Sequence, residues 1–360
     1  MTGRPSGGHT GTGPGADDRV LVTGGAGFVG SSVVRQVLAR GARVVAMVEP
    51  GGATGSLDGL DVELVEGDLR DPAAVDRAVA GCDLVFHVAA LYRFWAPDPD
   101  SFYDVNVTGT RNVLDAARAH GCRRLVYTST VGTLGLGAAT TDAPVDERSY
   151  AHVDHLFGLY KQSKYVAEHE VLRAAAEGLP VVLVQPTTPV GPRDVGPTPT
   201  GRTVLEFLDG RIPGYVDTTL NIVDVEDVAA GHVQAADLGA QGRSYILGGR
   251  NLSLRDVLGT LAEVTGLPAP TRRFPSALAL AAGHLSDLVE GRILGREPSV
   301  PLEGARMSTT HMSFDDARAR SELGYTSRPP AEALERAARW FVDAGRVRPE
   351  RVARCTWPMR

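Results

Sequence analysis

The chain reads as an α/β protein built on a doubly wound parallel sheet, followed by a smaller, mostly helical lobe. Three observations predict this. Apolar runs alternate with helical patterns at roughly 20 to 35 residue spacing, the signature of a parallel sheet wound with helices. The runs are continuously apolar, as in strands covered on both faces. A glycine-rich turn, Gly24-Gly25-Ala26-Gly27-Phe28-Val29-Gly30, joins the first run to the first helical pattern.

The elements follow in order. Arg19 to Thr23 is an apolar run stopped by glycines and predicts a buried strand. Phe28 to Arg40 has helical spacing through Val29, Val33, Val34, Val37 and Leu38, and Gly41 supplies a C-terminal stop. Arg43–Val48 and Val62–Val65 predict strands. Asp71 to Ala80 predicts a helix with Pro72 in its first turn. Leu84–Val88, Arg124–Thr128 and Val181–Val184 predict further strands, separated by helices over 102–120 and 160–177. After residue 188 the texture turns proline-rich. Helical patterns then recur over 203–208, 227–236, 254–265 and 330–343, and Ser244 to Leu247 can return a strand to the sheet. The segment from Ser276 to Leu294 predicts one amphipathic helix facing a pocket or a partner.

Composition narrows the class. The 360 residues are 43% hydrophobic and 22% charged, ordinary for a globular chain able to bury a core. The net charge of −6 comes without a basic run, which argues against nucleic acid. Cys82, Cys122 and Cys355 show neither a pairing framework nor metal spacing. No stretch reaches the length of a membrane span, no signal peptide precedes the fold, and no metal is expected. A soluble, globular chain of a reducing compartment, the cytoplasm, fits these bounds. Among 37 cationic residues only Lys161 and Lys164 are lysine.

The glycine turn places backbone N–H groups at a helix N-terminus, where a pyrophosphate binds. Gly24, Gly27, Phe28, Val29 and Gly30 are therefore candidate dinucleotide contacts, which makes the sheet a Rossmann domain. Glu49 follows the second strand. Its carboxylate accepts from both ribose hydroxyls and repels a 2′-phosphate, so NAD is expected over NADP. Asp68, after the third strand, is a candidate adenine contact or merely a turn residue. Residues 1–18, rich in glycine, predict a disordered tail. The Rossmann domain then covers 19–187, a substrate lobe 188–345, and a second tail 346–360.

Tyr160 and Lys164 stand four residues apart on one helix face. A tyrosine ordinarily titrates near 10, and a neighbouring ammonium favours the phenolate, which makes proton exchange with a substrate oxygen feasible. The same ammonium can hold ribose hydroxyls. Thr130, with Ser129 as runner-up, follows the fifth strand at the carboxyl edge of the sheet and is placed to hold the reacting oxygen. Asn106 either orients a water or the lysine, or is a buried structural amide. Tyr92, Arg93, Phe94 and Trp95 are placed to wall a ring-shaped substrate, or to anchor their own loop. Arg193, Arg202 and Arg211 are candidate clamps on an anionic group, with surface positions the plainer reading. His152 and His155 are expected to be exposed loop residues.

Several stretches together resemble the extended short-chain dehydrogenase/reductases: Thr23-Gly24-x-x-Gly27-x-x-Gly30, Gly67-Asp68-Leu69, His87-Val88-Ala89-Ala90, Asn106-Val107-x-Gly109-Thr110, Thr128-Ser129-Thr130 and Tyr160-x-x-x-Lys164. Within that superfamily the chain is similar to the hopanoid-associated sugar epimerase group and the dihydroflavonol reductase-like branch. Leu91 to Ala96, Pro189 to Asp194, Pro197 to Arg202 and Tyr245 to Gly249 carry that narrower likeness. The resemblance implies Thr130, Tyr160 and Lys164 as the catalytic set, supported by Asn106. It adds Leu69, Ala89 and Pro186 to the cofactor contacts, and Tyr92, Trp95, Thr130, Arg193 and Arg202 to the substrate contacts. It also implies a homodimer formed partly through the Tyr160 helix. Two departures stand out. Threonine replaces the usual serine at 130, and Glu49 stands where relatives often carry arginine. The implied activity is NAD(P)-dependent oxidation, reduction or epimerisation at a hydroxyl or carbonyl carbon of a small molecule. The alternative is a dinucleotide-binding sensor or scaffold without chemistry.

Overall fold

A computed structural model describes residues 12–136, 143–307 and 309–357. Its frame is a seven-stranded sheet in the order β3-β2-β1-β4-β5-β6-β9, with every neighbouring pair parallel. The strands are β1 (Arg19–Thr23), β2 (Arg43–Val48), β3 (Val62–Glu66), β4 (Leu84–His87), β5 (Arg124–Thr128), β6 (Val181–Pro186) and β9 (Ser244–Leu247). Helices α1 (Phe28–Ala39), α2 (Pro72–Val79), α4 (Gly109–Ala119) and α5 (Leu159–Ala176) cross between the strands. A short α3 (Ser101–Tyr103) leads into α4 through a π-helical turn, Asp104–Thr108.

The strand pleat explains why these runs are apolar throughout. Val20 and Val22 face one core with Val44, Ala46, Phe86, Val126 and Val184. Leu21 faces the opposite core with Val45, Met47, Val85, Tyr127 and Leu183. Alternate residues thus enter two different cores, so neither set is free to be polar. The edge strand β3 is the exception. It exposes Glu63 and Glu66, charges that discourage pairing with another chain.

A second sheet, β10-β8-β7, lies beyond β6. It uses β7 (Thr188–Val190), β8 (Thr219–Asp224) and β10 (Arg250–Ser253), with β7 and β8 parallel and β8 and β10 antiparallel. Its core is shared with α6 (Pro199–Leu208), α8 (Leu254–Thr265) and α12 (Pro330–Asp343) through Phe207, Leu208, Leu258, Leu334 and Phe341. Helix α7 (Val225–Leu238) packs on α1, and α11 (Ala317–Leu323) on α7. Among the described residues no helix is long and apolar enough to cross a membrane.

Three expectations need correction. Of the anticipated disordered tail, residues 1–11 lie outside the described residues, but 12–18 pack on the domain. Thr12 donates to the Ala236 carbonyl at 2.8 Å, and Asp18 pairs with Arg123 at 2.7 Å. The C-terminal stretch is also docked: α13 (Pro349–Val352) brings the Arg351 guanidinium to the Leu208 carbonyl at 2.8 Å, and Val347 is buried. Finally, the amphipathic helix expected over 276–294 is split. It runs as α9 (Ser276–Ser286) and then as a π-helical stretch, Asp287–Ile293, leaving Leu285, Leu288 and Ile293 exposed. Helix α10 (Leu302–Met307) packs back on α9.

Candidate active site

The strand order reverses between β1 and β4, and in open α/β sheets ligands bind at such a point, outside the strands' carboxyl ends. The glycine turn occupies this place. Gly24 has φ +64°, and a Cβ on it would lie 2.8 Å from the Ala89 backbone at the end of β4. A Cβ on Gly30 would collide with the Gly24 carbonyl oxygen. Gly27 caps α1 without a side-chain hydrogen bond, and no acidic residue occupies the first turn. The first N–H groups of α1 thus meet neither a capping side chain nor a negative charge. This cradle fits a pyrophosphate.

Glu49 is exposed at the end of β2. Asp68 is engaged by Arg70, whose guanidinium approaches to 2.6 Å, and that hydrogen bond holds the carboxyl below the usual range. Glu49 in turn lies near enough to stabilise the Arg70 charge. Leu69 is buried, and its backbone carbonyl accepts from Asn112 at 2.8 Å. Pro186 closes β6, buried beside Leu247 of β9.

Tyr160 and Lys164 sit in the first turns of α5 and are buried. Thr130 lies beside Tyr160, its own Oγ1 accepting from the Gly132 N–H at 3.1 Å, and the Tyr92 ring stands 4.8 Å from the Tyr160 ring. The Lys164 ammonium donates to the Thr128 carbonyl at 2.7 Å and lies 4.3 Å above the Tyr127 ring. The expectation that this ammonium makes the phenol acidic is not what the geometry shows. Burial raises the Tyr160 hydroxyl well above its ordinary range, with Tyr92 adding to the rise and the nearby Thr130 opposing it. Burial also pushes Lys164 down to about 7, against the pull of Glu168. The phenol is therefore held protonated.

Ser129 is turned away from this group, into the core. It donates to Glu168, which also accepts from Thr133 at 3.1 Å and lies 3.4 Å from the Gln185 amide. Sequence reading missed Glu168, although it falls four residues after Lys164 on the same face. It missed as well a buried chain of hydrogen bonds leading from the glycine turn to α5. Thr23 bonds His87 at 2.8 Å, His87 bonds Thr110 at 3.1 Å, and Thr110 donates to the Asn106 carbonyl at 2.6 Å. Burial pushes His87 down to about 3, so it is neutral. The motif His87-Val88-Ala89-Ala90 was the available signal.

Asn106 turns out to grip backbone. Its side chain accepts from the Leu91 N–H at 2.8 Å, faces the Leu91 carbonyl at 3.3 Å and donates to Ser163 at 2.9 Å. The loop after β4 is thereby fixed. Within it Tyr92 meets Tyr160, Phe94 lies by Gly304 of α10, and Trp95 lies by Gly291. Arg193 and Arg202 are not gathered here. Arg193, at φ +71°, pairs with Glu226 at 2.8 Å, and Arg202 faces Glu297 at 3.8 Å on the surface. Arg211 faces Asp209 at 3.4 Å, and His152 and His155 are exposed.

A topological switch point, a bare helix N-terminus and a buried tyrosine beside a threonine mark a dinucleotide-dependent enzyme of the Rossmann class. Residues 20–248 match the NAD dependent epimerase/dehydratase family. The chain belongs to that family, as an extended short-chain dehydrogenase/reductase. It is 43% identical over 335 residues to "Putative dihydroflavonol 4-reductase" of Synechocystis sp., a match covering 92% of this chain and 96% of that one. It is 34% identical to "Sterol demethylase protein B" of Methylococcus capsulatus, covering 91% and 99%. Among solved structures, the crystal structure of gox2253 superposes with a TM-score of 0.81 at 41% identity, covering 92% of this chain and all of that one. The protein is thus an NAD(P)-dependent oxidoreductase or epimerase acting on a small molecule.

Proposed function

We propose that the protein reduces the carbonyl of a small, largely apolar molecule, with NADH as reductant and Tyr160 as proton donor. One observation carries this reading: Tyr160 is buried beside Thr130 and the aromatic loop at the ligand edge of the sheet, and burial raises its phenol above the ordinary range. The bound nicotinamide supplies a hydride to the carbonyl carbon. The chain does the rest. Thr130 holds the carbonyl oxygen and Tyr160 gives it a proton as charge develops there. Lys164 orients the ribose, while the clamp of Asn106 on Leu91 keeps Tyr92 and Trp95 as a wall. Relatives whose names denote 2-alkyl-3-oxoalkanoate reductase and cinnamoyl-CoA reductase, 31% and 32% identical, support reduction of a carbonyl over epimerisation.

Glu49 supports NADH over NADPH, since its carboxylate repels a 2′-phosphate and the nearby Arg70 is occupied by Asp68. A homodimer through the α5 region is part of the proposal, tested by sedimentation at twice the 38.0 kDa chain mass. A cytoplasmic location agrees with the free thiols of Cys82, Cys122 and Cys355, and fractionation of cells checks it. The central test follows loss of cofactor absorbance with a panel of ketones, NADH against NADPH. Tyr160→Phe is expected to lower kcat by about 100-fold or more with little change in cofactor affinity. Full activity in that variant removes Tyr160 as the proton donor, whereas tight cofactor binding with no hydride transfer across the panel makes the sensor the better account.

A further inference from the structure

Tyr160, Lys164 and Glu168 follow one another at four-residue spacing along one face of α5, and all three are buried. The first two belong to the chemistry above, and Glu168 has no part in it. Its carboxylate is directed at the segment after β5, where the chain leaves the sheet and carries Thr130. The helix holds that segment at successive points. Lys164 takes the Thr128 carbonyl at 2.7 Å. The Oε2 of Glu168 accepts from Ser129 and, at 3.1 Å, from Thr133. The Thr133 hydroxyl also faces the Thr130 carbonyl at 2.9 Å, so its single proton is shared between that carbonyl and Glu168. The Gln185 amide, 3.3 Å from the Thr133 oxygen, closes the group from β6.

Thr130 stands between these holds in extended backbone, with φ −155° and ψ 147°. Its Oγ1 accepts from the Gly132 N–H, a bond local to the turn. Its place against Tyr160 is therefore set through its neighbours. We propose that Glu168 is a positioning residue for the reaction: it ties Ser129 and Thr133, on either side of Thr130, to the helix that carries Tyr160, and so sets where the Thr130 hydroxyl lies relative to the phenol. This rests on the reading of Thr130 as the group that holds the carbonyl oxygen. Misplacing such a group by about 1 Å costs on the order of 100-fold in rate. One oxygen of Glu168 makes both contacts, so an amide can stand in for the carboxylate. In Glu168→Gln the remaining oxygen takes the Ser129 and Thr133 protons. The new N–H groups face Gln185, whose Oε1 has no partner among the described residues.

The test compares variants of the full chain with NADH and the ketone of the panel that the wild type reduces fastest. Glu168→Ala should lower kcat about tenfold or more while KM and NADH affinity stay within about twofold, the mark of an interaction used in the transition state. Glu168→Gln should restore most of the lost kcat. Should the alanine variant fail to fold, Ser129→Ala combined with Thr133→Val decides, because it cuts the same two holds and leaves the carboxylate in place. A kcat close to that of the wild type, an NADH affinity that falls in step with kcat, or a glutamine variant as slow as the alanine variant overturns the proposal. A second readout needs no turnover. Amide hydrogen exchange over 129–134 should quicken in Glu168→Ala while that of β1 stays as in the wild type, and unaltered exchange over 129–134 overturns the proposal. Failure of the reductase reading looks different: Tyr160→Phe then keeps full activity, or the wild type reduces no ketone, and the exchange measurement decides for Glu168 by itself.

Discussion

Lys164 and Tyr160 share a helix face yet answer to different partners. The ammonium donates one bond to the Thr128 carbonyl and lies over the Tyr127 ring, while the phenol stands beside Thr130 and the Tyr92 ring. Four-residue spacing was legible in the sequence, but spacing says nothing of depth. At this depth burial outweighs the lysine's influence on the phenol. The displaced lysine gives a prediction about stability. An unfolded lysine titrates near its ordinary 10.5, whereas the folded group is pushed down to about 7. Between these values the unfolded chain binds the extra proton, so stability rises with pH. Below about 7 both states are protonated and the cost of burying the charge is fully present. In cofactor-free protein the wild type should therefore gain on Lys164→Met as pH climbs from 7 towards 10, read from urea unfolding at each pH. A gap between the two that stays constant over that range would show the lysine to be normally charged.

At the scale of elements, the helix expected over 102–120 forms, but with a π-helical turn at Asp104–Thr108. Hydrophobic spacing tolerates one extra residue per turn over so short a stretch, so the insertion left no trace in the pattern. It matters because Asn106 lies within it and reaches the Leu91 backbone and Ser163 together. Asn106→Ala strands a part-buried Leu91 N–H and should cost about 1 kcal/mol in urea unfolding. The freed loop should also raise KM for the carbonyl substrate more than it weakens cofactor binding. Equal effects on both would place the amide's role in the fold alone. Glu168 was within reach of helical periodicity, being one further step from Tyr160 and Lys164. Its partners Thr133 and Gln185 were not: they arrive from the turn after β5 and from β6, and only tertiary contact puts them beside it. The segment 12–18 was misread for a related reason. Its composition is that of a tail, but its anchors are Arg123 and Ala236, far off in sequence.

For the molecule as a whole, the large sheet was readable because each strand is buried on both faces and each helix shows one apolar side. The small sheet was not, since β7 is three residues long with Pro189 at its centre, and no periodicity can be read from it. Between the two sheets, beside the apolar contacts of Val223 and Leu220 of β8 with strands of the large sheet, lies a cluster of charges. Asp224 ends β8 and caps α7 through the Glu226 N–H at 2.8 Å, with no surface exposed. Its carboxylate takes Arg336 of α12 at 2.8 Å, with Arg328 at 3.5 Å. Arg336 also holds Glu226 at 2.7 Å. Glu226 in turn pairs with Arg193, which is why that arginine is engaged away from the aromatic loop. Removing one partner from a buried pair leaves a charge that neither water nor protein compensates. Arg336→Met should therefore destabilise the protein by about 3 kcal/mol, at the low end for such a loss because Arg328 remains to share Asp224. The urea midpoint should fall with an unchanged slope, meaning that the folded state lost stability without loosening. A double variant, Arg336→Met with Asp224→Asn, should recover part of the loss, because the stranded charge is then gone. If the double variant is as unstable as the sum of the two single changes, the cluster is a set of independent contacts and does not act as the bolt between the sheets.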